Sequence, residues 1–170
     1  ASETETRAFL EKLASSRSGE ARSVNFREVR KLALLKEPVV ETGILRFKPP
    51  AFFRKETGNP VELLNVSDGK TLWVVFPQKN EAEKYPLQAN RALRDSFFAL
   101  STAFNLSDLE KQFSVSGEWL EDGFRLLLIP RKRALKEGLS SVGVRLDSNG
   151  GLKEIEVNAP NGNRTVFYLS

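Results

Sequence analysis

Apolar and polar residues alternate along most of the chain, and this two-residue period predicts β-strands. Alternating segments fall at residues 24–36, 39–48, 51–55, 61–66 and 70–76, and again at 112–120, 124–130, 139–147, 152–158 and 164–169. Short turns separate most of them, which is typical of an antiparallel meander rather than of βαβ units. The pattern therefore predicts one antiparallel sheet of about ten strands, which must curl to hide its apolar face.

Three segments of the chain are predicted to be helical instead. Residues 2–16 carry an apolar stripe at Phe9, Leu10 and Leu13, and Ser2 with Glu5 forms a capping box at the start. A second capping box, at residues 107–110, starts a short helix at Asp108. Between these parts lies a stripe of about five helical turns, formed by Leu87, Leu93, Phe97, Leu100 and Phe104. We expect the central helices to pack inside the curled sheet or to cover its mouth.

The segment VSDGKTLWVVF, residues 66–76, raises the question of what covers each side of the sheet. Asp68-Gly69 is a turn pair that needs a positive φ. The strand after this turn has two apolar faces, one with Leu72, Val74 and Phe76 and the other with Trp73 and Val75. Because a strand with two apolar faces needs a cover on each side, we expect the N-terminal helix to cover the second face.

The composition excludes several kinds of site. The chain has 170 residues, 40% apolar and 28% charged, which predicts a single globular domain over residues 1–170. It contains no histidine and no cysteine, so the commonest general base, the usual metal ligands and disulfides are all missing. The polar trio Ser67, Asp68 and Lys70 lies in a turn where such residues are expected anyway. We therefore predict no enzyme, no catalytic residue, no metal and no cofactor.

The net charge of the chain bears on which partners it binds, and its first residue bears on the compartment in which it works. The net charge of +4 is spread among acidic residues, and the basic cluster at residues 131–133 is typical of a solvated hairpin. Phenylalanines lie on amphipathic faces, not alternating with arginine as on a stacking platform, so we predict no nucleic-acid partner. The chain begins at Ala1 and lacks methionine, which indicates an exported protein whose signal peptide has been removed. Recombinant trimming would give the same start.

Phenylalanine is far more frequent than the other aromatic residues, with 12 residues against two tyrosines and two tryptophans. Phe52-Phe53 follows a double proline, Phe97-Phe98 lies on the central helix, and residues 126–129 form a strand that is apolar on both faces. Together they predict a helix laid against the inside of the sheet. Such a layer either fills the curl as packed core or leaves an apolar cavity for a ligand. The residues alone leave both alternatives open and slightly favour the core.

Two segments carry a family resemblance. VSDGKTLWVVFPQKNEAEKYPL, residues 66–87, resembles the signature hairpin of the LolA family, the periplasmic carriers of outer-membrane lipoproteins. GILRFKPPAFFR, residues 43–54, resembles that family's pattern G-x-L-x-x-x-x-P-x-x-F. The resemblance implies an α+β fold, an unclosed antiparallel β-barrel. Its strongly curved sheet would have about ten or eleven strands, with an N-terminal helix and a central helical lid.

The resemblance also implies a function. A cavity between sheet and lid would take the acyl chains of a lipoprotein, or a related lipidic cargo, from an inner-membrane transporter and pass them to an outer-membrane acceptor. The protein would work in the periplasm as a monomer. Carried over by position, the cavity lining would comprise Phe47, Phe53, Leu72, Val74, Phe76, Phe97, Leu100, Phe104, Leu126 and Leu128. The alternative is a LolA-like sensor or accessory domain that binds a lipidated or protein partner without shuttling it.

Two departures from the family pattern stand out. The family's carriers usually have an arginine just before the proline of the P-x-x-F segment, where it helps to hold the lid closed. Pro49 takes that place here, preceded by Lys48, which lacks the fork of an arginine. The chain also stops at Ser170, where the carriers usually continue with a further segment. We therefore expect a lid that is held differently, and either a different handover to the acceptor or an incomplete chain.

Overall fold

The computed structural model describes residues 1–17, 21–89, 91–106 and 109–170, without the side chains of residues 14–17 and 91–93. Within these ranges the helices are α1 (Glu3–Arg17), α2 (Arg91–Phe104), α3 (Leu109–Gln112) and α4 (Arg133–Lys136). Single 3-10 turns cover Pro77–Lys79 and Leu87–Ala89. The strands are β1 (Arg22–Lys31), β2 (Val39–Lys48), β3 (Phe52–Thr57), β4 (Leu63–Ser67), β5 (Thr71–Phe76), β6 (Glu81–Pro86), β7 (Phe113–Leu120), β8 (Gly123–Pro130), β9 (Ser141–Asp147), β10 (Leu152–Asn158) and β11 (Arg164–Leu169).

The strands form one antiparallel sheet of 11 strands in the order β6-β5-β4-β3-β2-β1-β11-β10-β9-β8-β7. Two meanders are joined at the centre, where the first and last strands pair with Phe26 opposite Leu169. Strands β6 and β7 are the two edges, so the sheet stays open. This confirms the predicted unclosed antiparallel sheet of ten or eleven strands with an N-terminal helix and central helices.

Every strand except the edge strand β6 has buried residues on one face, in keeping with the two-residue period. In β8 the side chains of Phe124, Leu126 and Leu128 are buried, whereas Leu127 is 42% and Ile129 45% exposed. The buried sides face the concave surface of the sheet, where α2 packs on it and the largest fully buried side chains gather. The core therefore lies between the sheet and the helices.

The hairpin turn that precedes β5 has the predicted geometry. Gly69 has a φ of +95°, which an L side chain rarely adopts. The Asp68 carboxylate accepts hydrogen bonds from the backbone N–H groups of Thr71 at 2.8 Å and Lys70 at 2.9 Å. These two bonds hold the pKa of Asp68 below its usual value, and the bond from Thr71 has the larger effect. The polar residues of this turn thus stabilise a hairpin.

The N-terminal helix begins as predicted but packs on a different part of the sheet from the one expected. The Glu5 N–H donates to the Ser2 hydroxyl at 3.1 Å, as in a capping box. The expected cover of Trp73 and Val75 by α1 is wrong, because Phe9 stacks on Phe124, 4.4 Å between ring centroids, at the opposite end of the sheet. The Trp119 indole N–H donates to the Glu5 carboxylate at 2.9 Å, which lowers the pKa of Glu5.

Trp73 has a smaller cover than expected. Its ring lies 5.8 Å from the ammonium of Lys84, which stands directly opposite it on β6. A cation over the face of an indole is a favourable contact, and the aliphatic stem of a lysine shields apolar surface from water. A neighbouring side chain thus covers part of the second apolar face of β5.

Several element boundaries differ from the predictions. The helical stripe begins too early, because Leu87 lies in a separate 3-10 turn and α2 starts at Arg91. The first strand ends at Lys31 rather than at residue 36. Strand β6 and helix α4 were not predicted. The side chain of Leu93 and residues 107–108 of the second capping box lie outside what the structure describes.

None of the helices in the described ranges is both long enough and apolar enough to cross a membrane.

Candidate functional site

A cluster of four phenylalanine rings joins α2 to the concave face of the sheet. Phe47 on β2 and Phe53 on β3 stand opposite each other, with ring centroids 5.3 Å apart. Phe53 also lies 5.8 Å from both Phe97 and Phe104 of α2, and Phe47 lies 5.5 Å from Phe104. These contacts seat α2 as a lid over the N-terminal half of the sheet.

A cavity of about 470 Å³ opens beside this cluster. It lies between α2, α4, the 3-10 turn at residues 87–89 and the start of β3. Its apolar wall includes Phe53, Phe97, Phe98, Leu87, Leu135 and Ala51. Its polar rim includes Arg94, Ser101, Gln112 and Lys132. An apolar wall with a few polar groups, in a volume within about 300–1,000 Å³, is the usual form of a small-ligand pocket.

Two of the ten residues predicted as ligand contacts, Phe53 and Phe97, line this cavity. Phe76 is partly buried and packs against the core. The other seven are buried in the contiguous core next to the cavity: Phe47, Leu72, Val74, Leu100, Phe104, Leu126 and Leu128. Packed core and apolar cavity, the two alternatives left open by the sequence, therefore coexist. Side chains fill one part of the space inside the curved sheet, and another part holds the cavity. Lipid contact by all ten residues stays a prediction.

Sequence reasoning missed several apolar wall residues, among them Phe98, Leu87 and Leu135. Phe98 follows Phe97 directly but points toward Phe113, with ring centroids 5.8 Å apart. Leu87 was assigned to the helical stripe but lies in a separate 3-10 turn. Leu135 comes from a four-residue helix, which is too short to show a period. The adjacent pair Phe97-Phe98 could have identified Phe98 as a wall residue, because it places an aromatic ring on each of two neighbouring faces of α2.

The N-terminal part of α2 makes polar contacts at the cavity rim. The Arg94 guanidinium donates to the Asp95 carboxylate at 3.1 and 3.2 Å and to the Gln88 side chain at 3.2 Å. Asp95 is buried and lies so close to Gly138, just after α4, that a β-carbon at Gly138 would overlap its carboxylate. Lys48 is exposed, as is the neighbouring Pro50. The rim contacts that tie α2 to other elements are thus Arg94 with Gln88 and Asp95 with Gly138.

The comparisons with known proteins agree with one another. A family model described as "Outer membrane lipoprotein carrier protein LolA" matches residues 18–170. Proteins named "Outer-membrane lipoprotein carrier protein" are 30% identical over 135 residues in Vibrio campbellii and 27% identical over 128 residues in Haemophilus influenzae. These matches cover 79% and 75% of this chain but only 61% and 58% of those relatives.

A solved structure shows the same fold. The Mycobacterium tuberculosis lipoprotein LppX is 8% identical and superimposes with a TM-score of 0.52, covering 99% of this chain and 95% of that one. At this identity the likeness concerns the fold alone. It supports the curved sheet with helices on its concave side as a known architecture.

Proposed function

Because this chain belongs to the LolA family of outer membrane lipoprotein carrier proteins, we propose that it is a non-catalytic carrier of acyl chains in the periplasm. Its cargo is an acylated lipoprotein or a related lipidic molecule. The single observation that carries the proposal is the apolar cavity of about 470 Å³ between α2 and the sheet. The name of the relatives, outer-membrane lipoprotein carrier protein, supports the class of cargo.

The energetics of an acyl chain suit such a cavity. Removing one methylene from water is worth about 0.8 kcal/mol, so even a few buried methylenes give useful affinity. A carrier must offer this shelter and also release the cargo. The phenylalanine-lined wall supplies the shelter, and α2 supplies a movable cover.

We propose that α2 moves as the lid when cargo enters. The remaining predicted contacts, such as Phe47, Leu100 and Phe104, lie directly behind the present cavity and would join its wall when α2 shifts outward. The contacts of Arg94 with Gln88 and of Asp95 with Gly138 then act as the latch, in place of the arginine that the family's carriers usually have near Pro49. Cargo would arrive from an inner-membrane transporter and leave to an outer-membrane acceptor.

The test is transfer of a synthetic peptide whose N-terminal cysteine carries a diacylglyceryl group and a fluorophore. We expect the folded protein to take this peptide from donor vesicles and deliver it to acceptor vesicles faster than the spontaneous exchange measured without protein. The control is the same peptide without acyl chains, which should not bind. Binding without delivery would contradict shuttling and favour the sensor function, and absence of binding would contradict both.

A further inference from the structure

The concave face of the sheet carries a charged network among its apolar residues. Glu28 on β1 is 2% exposed, and its carboxylate pairs with the Lys55 ammonium of β3 at 2.5 Å. Arg30 lies 3.5 Å from the second Glu28 oxygen and donates to Glu41 of β2 at 2.9 Å. Two cations and two anions therefore balance each other on this face.

The surroundings of Lys55 make the network unusual. Its ammonium lies 5.5 Å from the Phe26 ring and 5.6 Å from the Phe167 ring, both of them buried core residues. Taking charges out of water costs several kcal/mol per ion, and well-packed apolar residues in their place are often neutral or stabilising. Core packing alone therefore gives no reason for an ion pair here.

Part of the network lacks hydrogen bonds. The second oxygen of Glu28, the Nε of Arg30 and the hydroxyl of Thr57 are buried without a hydrogen-bond partner. Buried polar atoms in native proteins nearly always have such a partner. The Glu28 Oε2 and the Arg30 Nε thus face each other across 3.5 Å as ion-pair partners, without a hydrogen bond between them.

Glu28 and Arg30 line a second cavity, of about 570 Å³, and their two unbonded atoms lie buried just behind its surface. Its wall includes Glu28, Arg30, Lys55 and Asp95, and it continues to the β10–β11 turn at residues 159–163. Asp95 of α2 also lines the apolar cavity described above. The two cavities therefore adjoin at the lid, one predominantly apolar and the other with charged groups in its wall.

We propose that the second cavity binds a neutral polar group of the cargo, a hydroxyl or an amide, next to the acyl chain. Glu28 accepts a hydrogen bond from the O–H or N–H of that group, and the Arg30 Nε donates one to its oxygen. A neutral group fits because Glu28, Arg30, Lys55 and Glu41 already balance one another. The further carboxylates of the wall, Asp95 and Glu137, disfavour an anionic group. This inference rests on the proposed function and adds the chemistry of the cargo's head.

The experiment uses three probes with one lauroyl chain each: 1-monolauroylglycerol, lauramide and methyl laurate. The first two carry a hydrogen-bond donor at the head and the third does not. Hydrogen bonds to charged groups are among the stronger ones in proteins. We therefore expect wild-type protein to bind the glycerol ester and the amide about tenfold more tightly than methyl laurate, measured by titration calorimetry below the critical micelle concentration.

The diagnostic variant combines Glu28→Leu with Lys55→Met, which replaces the pair by apolar side chains of similar length and preserves packing. It should bind all three probes with the affinity of methyl laurate, and its circular dichroism should match the wild type. The matched control, Arg54→Met with Glu56→Leu, removes an ion pair at 2.8 Å that involves the exposed Arg54. This control should keep the tenfold preference.

The outcomes separate the two proposals. Equal affinity of wild-type protein for the three probes, or a preference that survives in the Glu28→Leu/Lys55→Met variant, would overturn the polar subsite while leaving the carrier function in place. Failure of all three probes to bind the folded wild-type protein would overturn both.

Discussion

Replacing Phe53 by alanine is expected to lower the free energy of unfolding by about 3–5 kcal/mol. The Phe53 side chain is 2% exposed and contacts the rings of Phe47, Phe97 and Phe104. Its removal leaves a hole between the sheet and α2 that the surrounding rings fill only in part. Urea denaturation followed by circular dichroism measures this loss.

The adjacent residue is the matched control. Phe52 has the same side chain and lies on the same strand, but it points to the other face and is 50% exposed. Phe52→Ala should change the free energy of unfolding by about 0.5 kcal/mol or less. Similar losses for the two variants would show that α2 does not pack on Phe53 in solution.

Replacing Ser101 by tryptophan is expected to weaken acyl-chain binding by more than about tenfold. Ser101 is a half-buried residue of α2 that lines the apolar cavity, so an indole there occupies space needed by the ligand. Two displaced methylenes cost about 1.6 kcal/mol at 0.8 kcal/mol each, which already exceeds a factor of ten in affinity. Titration with a fluorescent fatty acid measures the change.

The control for this variant is Ser148→Trp. Ser148 is exposed in the turn between β9 and β10 and is not one of the residues that line the cavity. It adds the same indole without filling the cavity, and its affinity should equal that of the wild type. Equal weakening in the two variants, or none in Ser101→Trp, would place the ligand outside this cavity.

The sheet was largely predictable because its strands follow a two-residue period. The bounds of β2, β10 and β11 match the predicted segments, and most other strands differ by only a few residues. Strand β6 was missed because its sequence, EAEKYP, is polar and its residues are mostly exposed. Backbone pairing with β5 holds this edge strand, and such pairing leaves no apolar pattern in the sequence.

The candidate site was predictable only in part. Phe53 and Phe97 stand out as aromatic residues on elements with clear periods, and both line the cavity. Leu135 reaches the wall through the docking of a helix that is too short to show a period. Glu28 and Lys55 are 27 residues apart and meet across β2, so only the strand register reveals their contact. Periodicity predicts which face of a helix or strand is buried, whereas the position of a cavity depends on how the helices pack on the sheet.

The stoichiometry of acyl-chain uptake tests the central claim most directly. Wild-type protein titrated with a fluorescent fatty acid should show saturable binding of one probe per chain, with the probe's emission shifted as in an apolar environment. Absence of saturable uptake by protein that circular dichroism shows to be folded would contradict the carrier function.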